Sequence, residues 1–243
     1  MKKVLNIAHR GFSGYYPENT MLAFIKAIEV QCDGIETDVQ LTKDGIAVLC
    51  HDETVDRTTN GKGLIKDYTY EELEKLDAGI KKEEKFKGYK IPTLDEFLDY
   101  VKDKNLLINL ELKNSIMEYP SLEEIVIEKV YKYNIQHNCI ISSFNHYSMA
   151  RCKHIDKKIK TGLLYDETLY KPEKYIGYVG ADTLHPNFHG VYSEDIVRGI
   201  KSKNIPINVY TVNEEEDMIN MLRLGVDGII TNYPDKLRAL IKR

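Results

Sequence analysis

Short apolar stretches alternate with amphipathic ones along almost the whole chain, and this alternation limits the fold more than any other feature. The apolar stretches read as strands at 4–10, 34–41, 106–113, 139–144, 160–165, 181–186, 205–212 and 228–232. Most of the intervals read as helices. In 19–30, Leu22, Ile25 and Ile28 share one side. Ser121, followed at the third position by Glu124, predicts a capping box. Asn145 and Ser193 read as further N-caps. Asn213 opens a helix whose first turn, Glu214, Glu215 and Glu216, suits the helix dipole. Eight strands with helices between them in 243 residues predict an α/β fold, a closed (β/α)8 TIM barrel. An open doubly wound sheet is the competing arrangement, but no Gly-x-Gly-x-x-Gly follows the first strand.

Two segments depart from the alternation. The stretch 46–52 reads as a strand, yet only Thr42-Lys43-Asp44-Gly45 separates it from 34–41. A parallel neighbour needs a crossover of roughly a dozen residues or more, so this is an antiparallel return through an Asp-Gly turn. It brings His51 either near the base of 34–41 or over one end of the barrel. The stretch 53–91 is rich in Lys and Glu, weakly periodic apart from a short helix near 70–76, and too long for an ordinary loop. It reads as a small subdomain inserted after the second strand into a single barrel domain spanning 1–243. Pro92-Thr93-Leu94 then restarts the barrel helix. The polarity of the insertion predicts that it shapes the entrance and adds little to the barrel core. Weak similarity between Cys32-Asp33-Gly34-Ile35-Glu36-Thr37-Asp38 and Val226-Asp227-Gly228-Ile229-Ile230-Thr231-Asn232 fits repeated βα units.

Composition excludes several classes of function. Hydrophobic residues make up 42% and charged residues 30%, the balance of a soluble globular chain. Lys and Arg number 34 against 38 Asp and Glu, a net charge of −4, so no nucleic-acid partner is expected. No apolar window approaches the roughly 18 residues of a membrane helix, so no stable membrane anchor is expected. Met1-Lys2-Lys3-Val4-Leu5-Asn6-Ile7-Ala8 begins like a secretory leader, but His9 and Arg10 end its apolar run too early. The expectation is a cytoplasmic protein, its oligomeric state left open. Cys32, Cys50, Cys139 and Cys152 show no Cys-x-x-Cys spacing and are expected to be reduced and mostly buried.

Alternate residues of a strand share a face. In 34–41 that groups Glu36 with Asp38, and in 106–113 it groups Asn109, Glu111 and Lys113. Barrel strands are normally almost continuous apolar runs, so acids here are out of place unless they have a task. Both sets fall near the C-terminal end of the strand, where barrel active sites form. Three carboxylates so close repel unless a cation lies between them. One divalent cation with all-oxygen ligands, Mg or Ca, answers this simply. The competing reading is an ion-pair network in which Arg10 and Lys113 neutralise the acids. His9 and His51 end strands beside these acids and titrate near neutrality, which suits proton transfer. His137, His146 and His154 are read as structural, His185 as ambiguous and His189 as a loop residue. No Gly-x-Ser-x-Gly is present, which argues against a serine hydrolase. Arg10 and Lys113 at the same rim suit an anionic substrate, with phosphate the natural choice.

At this point several motifs match a family. Ala8-His9-Arg10-Gly11, Pro17-Glu18-Asn19-Thr20, Glu36-Thr37-Asp38-Val39-Gln40-Leu41-Thr42-Lys43-Asp44-Gly45 and His51-Asp52 resemble the glycerophosphodiester phosphodiesterases. The match continues through Glu111-Leu112-Lys113, Ser143-Phe144, Val209-Tyr210-Thr211-Val212-Asn213 and the run from Gly225 to Asp235. The resemblance covers nearly the whole chain, in order. It implies a barrel with a small insertion after the second strand. It also implies hydrolysis of a small-molecule phosphodiester to an alcohol and sn-glycerol 3-phosphate. By position, Glu36, Asp38 and Glu111 resemble the family's metal ligands, His9 and His51 its acid–base pair, and Arg10 and Lys113 its phosphate contacts. Asn19 looks structural, capping the first helix. Tyr210 stands where the family often has a Trp that forms an apolar wall by the glycerol, and this chain has no Trp. The resemblance leaves as an alternative a family member acting on another phosphodiester, such as a lysophospholipid or a cell-wall polymer. The other readings are a sugar-phosphate isomerase or aldolase barrel, which usually has a glycine-rich phosphate site or a Schiff-base lysine, and a non-catalytic phosphoester binder.

Overall fold

The computed structural model describes residues 4–242; Met1, Lys2 and Lys3, the charged start of the leader-like stretch, lie outside the described residues. Eight parallel strands run around a barrel: β1 (Leu5–His9), β2 (Gly34–Leu41), β4 (Leu107–Leu112), β5 (Cys139–Ser143), β6 (Lys160–Tyr165), β7 (Thr183–Pro186), β8 (Asn208–Val209) and β9 (Gly228–Thr231). Their hydrogen-bonded order is β7-β6-β5-β4-β2-β1-β9-β8. The ring closes between β8 and β7 through the parallel bridges Leu184↔Ile207 and Asn187↔Tyr210. The predicted closed barrel is therefore the observed one. Eight helices stand around the barrel: α1 (Met21–Glu29), α3 (Leu94–Val101), α4 (Leu122–Lys132), α5 (His146–Ile155), α6 (Pro172–Val179), α7 (Glu194–Lys201), α8 (Glu215–Leu224) and α9 (Pro234–Ile241).

Two layers of side chains follow from strand parity. Ile35, Val39, Ile108, Leu110, Ile141, Leu163, Leu184 and Ile229 pack outward in one continuous core with Phe24, Phe97, Leu98, Val126 and Met218 of the helices. The opposite parity fills the barrel and includes Ile7, Ile140, Leu164 and Ile230, together with Asn109, Ser142, His185 and Asn208, all buried. Gly162 on β6 makes room for the His185 ring: a Cβ there would lie 2.9 Å from His185 Cε1. Nε2 of His185 receives the Asn208 amide at 3.1 Å and lies 3.1 Å from the Thr183 hydroxyl. The histidine that was ambiguous in sequence is thus an interior group, and burial pushes it down to about 3.

The short strand β3 (Ala47–Leu49) pairs antiparallel with the C-terminal half of β2, Leu41 opposite Ala47 and Val39 opposite Leu49. The chain leaves it with Cys50 N–H donating to Asp38 O, which lays His51 over the C-terminal mouth. Residues 53–91 carry two 3₁₀ turns and the short helix α2 (Tyr70–Leu73), closed by a Thr69–Glu72 capping box. Val55, Ile65, Leu73, Ala78 and Ile91 pack with Val48 and Cys50 in a satellite cluster separate from the main core.

Several caps differ from expectation. Thr20, not Asn19, caps α1, accepting from Ala23 N–H. Asn19 has φ 54 and turns its side chain inward to the barrel. Ser121 sits at φ 60 and makes no side-chain cap bond, because a cap hydroxyl reaches the first turn from extended backbone. Ser193 is extended at the N-cap but makes no such bond either. Asn213 lies outside α8, whose N-cap is Glu214, and its Oδ1 accepts from Asn232 N–H instead. Asn145 caps α5 as expected, accepting from Ser148 N–H. The four cysteines are free and buried.

Candidate active site

Register brings the acids together. Glu36 of β2 lies opposite Asn109 of β4, and Asp38 lies opposite Glu111. Glu36, Asp38 and Glu111 each offer a carboxylate oxygen, and the three oxygens lie within 4.8 Å of one another. All three side chains are buried. Arg10, held in the left-handed region at φ 55, donates its backbone N–H to Glu36 Oε2 at 2.9 Å. Gly11 follows at φ 76, where a Cβ would sit 2.7 Å from the Ala23 carbonyl carbon. The turn after β1 therefore needs glycine to pass so close to α1.

Cations are present but too few. Arg10 Nε lies 3.3 Å from Asp38 Oδ2, and Lys113 Nζ lies 2.8 Å from Glu111 Oε1 and 3.8 Å from Asp38 Oδ1. Burial works against the Asp38 charge, but Arg10 and Lys113 outweigh it and hold that carboxyl at about 2. Glu36 is pushed well above the usual carboxylate range by burial and by repulsion from Asp38 and Glu111. Glu111 moves the same way, through burial and Asp38, against the pull of Lys113. Glu36 Oε1 and Asp38 Oδ1 are buried without a hydrogen-bond partner. Two cations thus face three acids, and two orphaned oxygens point to a further positive charge. The donor set, all carboxylate oxygen, fits a hard divalent ion. The ion pairs expected on the competing reading exist, but they leave Glu36 only partly compensated.

The two histidines flank this cluster and differ in surroundings. His9 Nδ1 donates to Asn232 Oδ1 at 2.6 Å, and its Nε2 lies 3.9 Å from Glu36 Oε2. Burial, with Arg10 beside it, pushes His9 down to about 3, so its ring is neutral with a free Nε2 lone pair. His51 Nδ1 donates to Asp52 Oδ1 at 2.7 Å, which leaves its Nε2 free as well. Tyr210 and Phe144 form an aromatic wall, edge to face at 5.8 Å, and the Tyr210 hydroxyl donates to Asp166 at 3.0 Å. Burial and that carboxylate raise the Tyr210 phenol. His146 is held by Tyr175 and Leu164 O, outside the cluster.

The structure therefore gathers His9, Arg10, Glu36, Asp38, His51, Glu111, Lys113 and Tyr210 at or beside one mouth. It adds Asn19, Glu18 and Arg57, to which the sequence assigned no role in the site. Asn19 Nδ2 donates to Asp38 Oδ2 at 2.9 Å, while its Oδ1 accepts from Thr37. Glu18 accepts from Arg10 Nη1 at 2.9 Å. Arg57, on the inserted segment, binds both Glu18 and Asp52. The matched motifs Pro17-Glu18-Asn19-Thr20 and His51-Asp52 were usable signals for Glu18 and Asp52; nothing local marks Arg57.

Comparison with known proteins identifies the family. The profile of the glycerophosphoryl diester phosphodiesterase family matches residues 9–236. A glycerophosphodiester phosphodiesterase of Caldanaerobacter subterraneus subsp. tengcongensis is 48% identical over 241 residues, 99% of each chain. One from Bacillus altitudinis is 44% identical over 94% of each. Among solved structures, an Oleispira antarctica phosphodiesterase in complex with the product sn-glycerol-3-phosphate superposes with TM-score 0.87 at 30% identity, covering 98% of this chain and 96% of that one. A Thermotoga maritima glycerophosphodiester phosphodiesterase gives TM-score 0.81 at 30% identity over all of both chains. Matched across almost its whole length in sequence and in fold, the chain belongs to the glycerophosphoryl diester phosphodiesterase family.

Proposed function

We propose that this protein hydrolyses glycerophosphodiesters to an alcohol and sn-glycerol 3-phosphate, with one divalent cation, Mg or Ca, and with His9 and His51 as its proton-transfer pair. The observation that carries the reading is the buried cluster of Glu36, Asp38 and Glu111, one positive charge short, with a free imidazole nitrogen on either side. Glu36, Asp38 and Glu111 would hold the ion, which when bound supplies a Lewis acid for the phosphoryl oxygens. Arg10 and Lys113 bring two further positive charges to the same rim, where charge builds in the transition state. His9, neutral and fixed through Nδ1–H to Asn232, takes the proton of the attacking hydroxyl on Nε2. If that hydroxyl is water, glycerol phosphate forms directly; if it is the substrate's glycerol, a cyclic phosphate forms that a water then opens. His51, its Nδ1 held by Asp52, donates a proton from Nε2 to the leaving alcohol oxygen. Phe144 and Tyr210 wall the carbon skeleton beside the phosphate.

The test is release of sn-glycerol 3-phosphate from a panel of glycerophosphodiesters, with and without a chelator. Turnover that disappears on chelation and returns with Mg or Ca is expected. Full turnover in thoroughly stripped enzyme, or none with any diester, would overturn the reading.

A further inference from the structure

We propose that Arg57, on the inserted segment, is a positioning residue of this site: its guanidinium bridges Asp52 and Glu18 and thereby sets His51 and Arg10 in one rigid arrangement. The inference rests on the reading that His51 and Arg10 serve the reaction. Arg57 Nε donates to Asp52 Oδ2 at 2.7 Å and Nη2 to Asp52 Oδ1 at 2.9 Å. Its Nη1 donates to Glu18 Oε2 and its Nη2 to Glu18 Oε1, both at 2.8 Å. Each carboxylate is thus gripped by two nitrogens, a geometry that a planar guanidinium allows and an ammonium does not.

Each carboxylate then serves a second partner. The Asp52 oxygen that receives Nη2 also receives His51 Nδ1, and the Glu18 oxygen that receives Nη2 also receives Arg10 Nη1. Arg10 continues to Asp38. A chain of contacts therefore runs from His51, at the end of β3, through Arg57 to Arg10, after β1. The bridge fixes the tautomer and plane of His51 by holding Asp52 in place. It also aims the Arg10 guanidinium by holding Glu18. Arg57 itself is 47% exposed in its side chain, so its pairs add little to global stability, as is usual for exposed ion pairs. Misplacement of a reacting group by about 1 Å costs up to about 10²-fold in rate, so the effect belongs in turnover.

Arg57→Gln and Arg57→Lys test this in the full-length enzyme with Mg present. For Arg57→Gln, kcat should fall by about 10–100-fold, with KM changed by less than about 3-fold and the melting midpoint nearly unchanged. Arg57→Lys should recover part of the loss but not all. In ¹⁵N-histidine-labelled protein, the Nδ1–H signal of His51 should be sharp in wild type and broaden through faster exchange in Arg57→Gln. Wild-type kcat in Arg57→Gln, or an unchanged His51 signal in both variants, would overturn the proposal. So would a rate loss that only tracks a fall in melting midpoint, since that describes a tether for the insertion. The spectra read the bridge without turnover, so a wild type inactive on every diester would count against the hydrolase reading while the spectra still decided on Arg57.

Discussion

Glu36→Gln should stabilise the metal-stripped protein while abolishing turnover of the metal-loaded one. The Gln amide oxygen can still accept the Arg10 N–H that Glu36 Oε2 accepts at 2.9 Å, so the change removes charge and little else. Glu36 faces two acids, with ligand oxygens within 4.8 Å. At that separation and an effective dielectric of about 20, each repulsion is about 3 kcal/mol. Arg10 offsets roughly one of them, and relaxation reduces the rest to about 2 kcal/mol. For a chain of this length that corresponds to a melting midpoint higher by roughly 4–8 °C. The pH sign follows from the raised Glu36 carboxyl. The folded state keeps this proton at pH values where the unfolded state has lost it. The Glu36 contribution to stripped wild type is therefore complete below the ordinary value of 4.5 and is lost as pH rises through the folded value. Glu36→Gln should show a flatter profile, with the slope from Glu111 remaining. Adding Mg or Ca should reverse the order, because a ligand at about 100 times its Kd adds about 2.7 kcal/mol to whichever protein binds it. Thermal scans of both proteins in chelator and in metal, between pH 5 and 9, make the comparison. If Glu36→Gln melts at or below wild type in chelator, Arg10 and Lys113 already balance the three acids, and the argument for a missing charge fails.

Replacing His9 or His51 with Ala should lower kcat by about 10²–10⁴-fold and change KM far less. On a nitrophenyl diester, whose leaving group needs no proton, the His51 variant should recover and the His9 variant should not; the reverse pattern would exchange their roles. Gly162→Ala should destabilise by about 1–3 kcal/mol, since the new methyl meets the buried ring of His185, and a denaturant midpoint equal to wild type would refute it. His185 is neutral down to about 3 in the folded state and near 6.5 unfolded, so its contribution is complete above pH 6.5 and is lost as pH falls towards 3. Urea midpoints measured from pH 7 to 4 should fall less steeply for His185→Gln than for wild type, and parallel curves would exclude His185 as a source of the acid sensitivity.

The barrel was legible because its signal is periodic. Apolar runs separated by amphipathic ones need only be counted, and the Asp44-Gly45 turn forced β3 to run antiparallel. Lengths were less legible. The run 205–212 reads as a full strand, but β8 is only Asn208–Val209, and the barrel closes beside it through single bridges. Pro206 has no N–H to give to a ladder, and an apolar run reports burial, not pairing. Two of the caps that failed share a reason. Ser121 and Asn19 have cap-forming side chains, but their neighbours hold them at positive φ, where the side chain faces away from the first turn.

The site divides along the same line. Glu36, Asp38 and Glu111 were found from sequence because they lie on strands, where a period of two assigns a face before any tertiary contact is known. His9 and His51 were found because each ends a strand-like apolar run in the sequence. Glu18, Asp52 and Arg57 lie on loops, where no period relates position to direction, and their mutual contacts exist only after the insertion has folded back over β1. Yet these loop residues decide which nitrogen of His51 is left free and how Arg10 is held. The strand-borne part of the site states what chemistry is available. The loop-borne part states how well it is aimed, which means that variants at Glu18, Asp52 and Arg57 should separate turnover from metal affinity, whereas variants at the three acids should lose both.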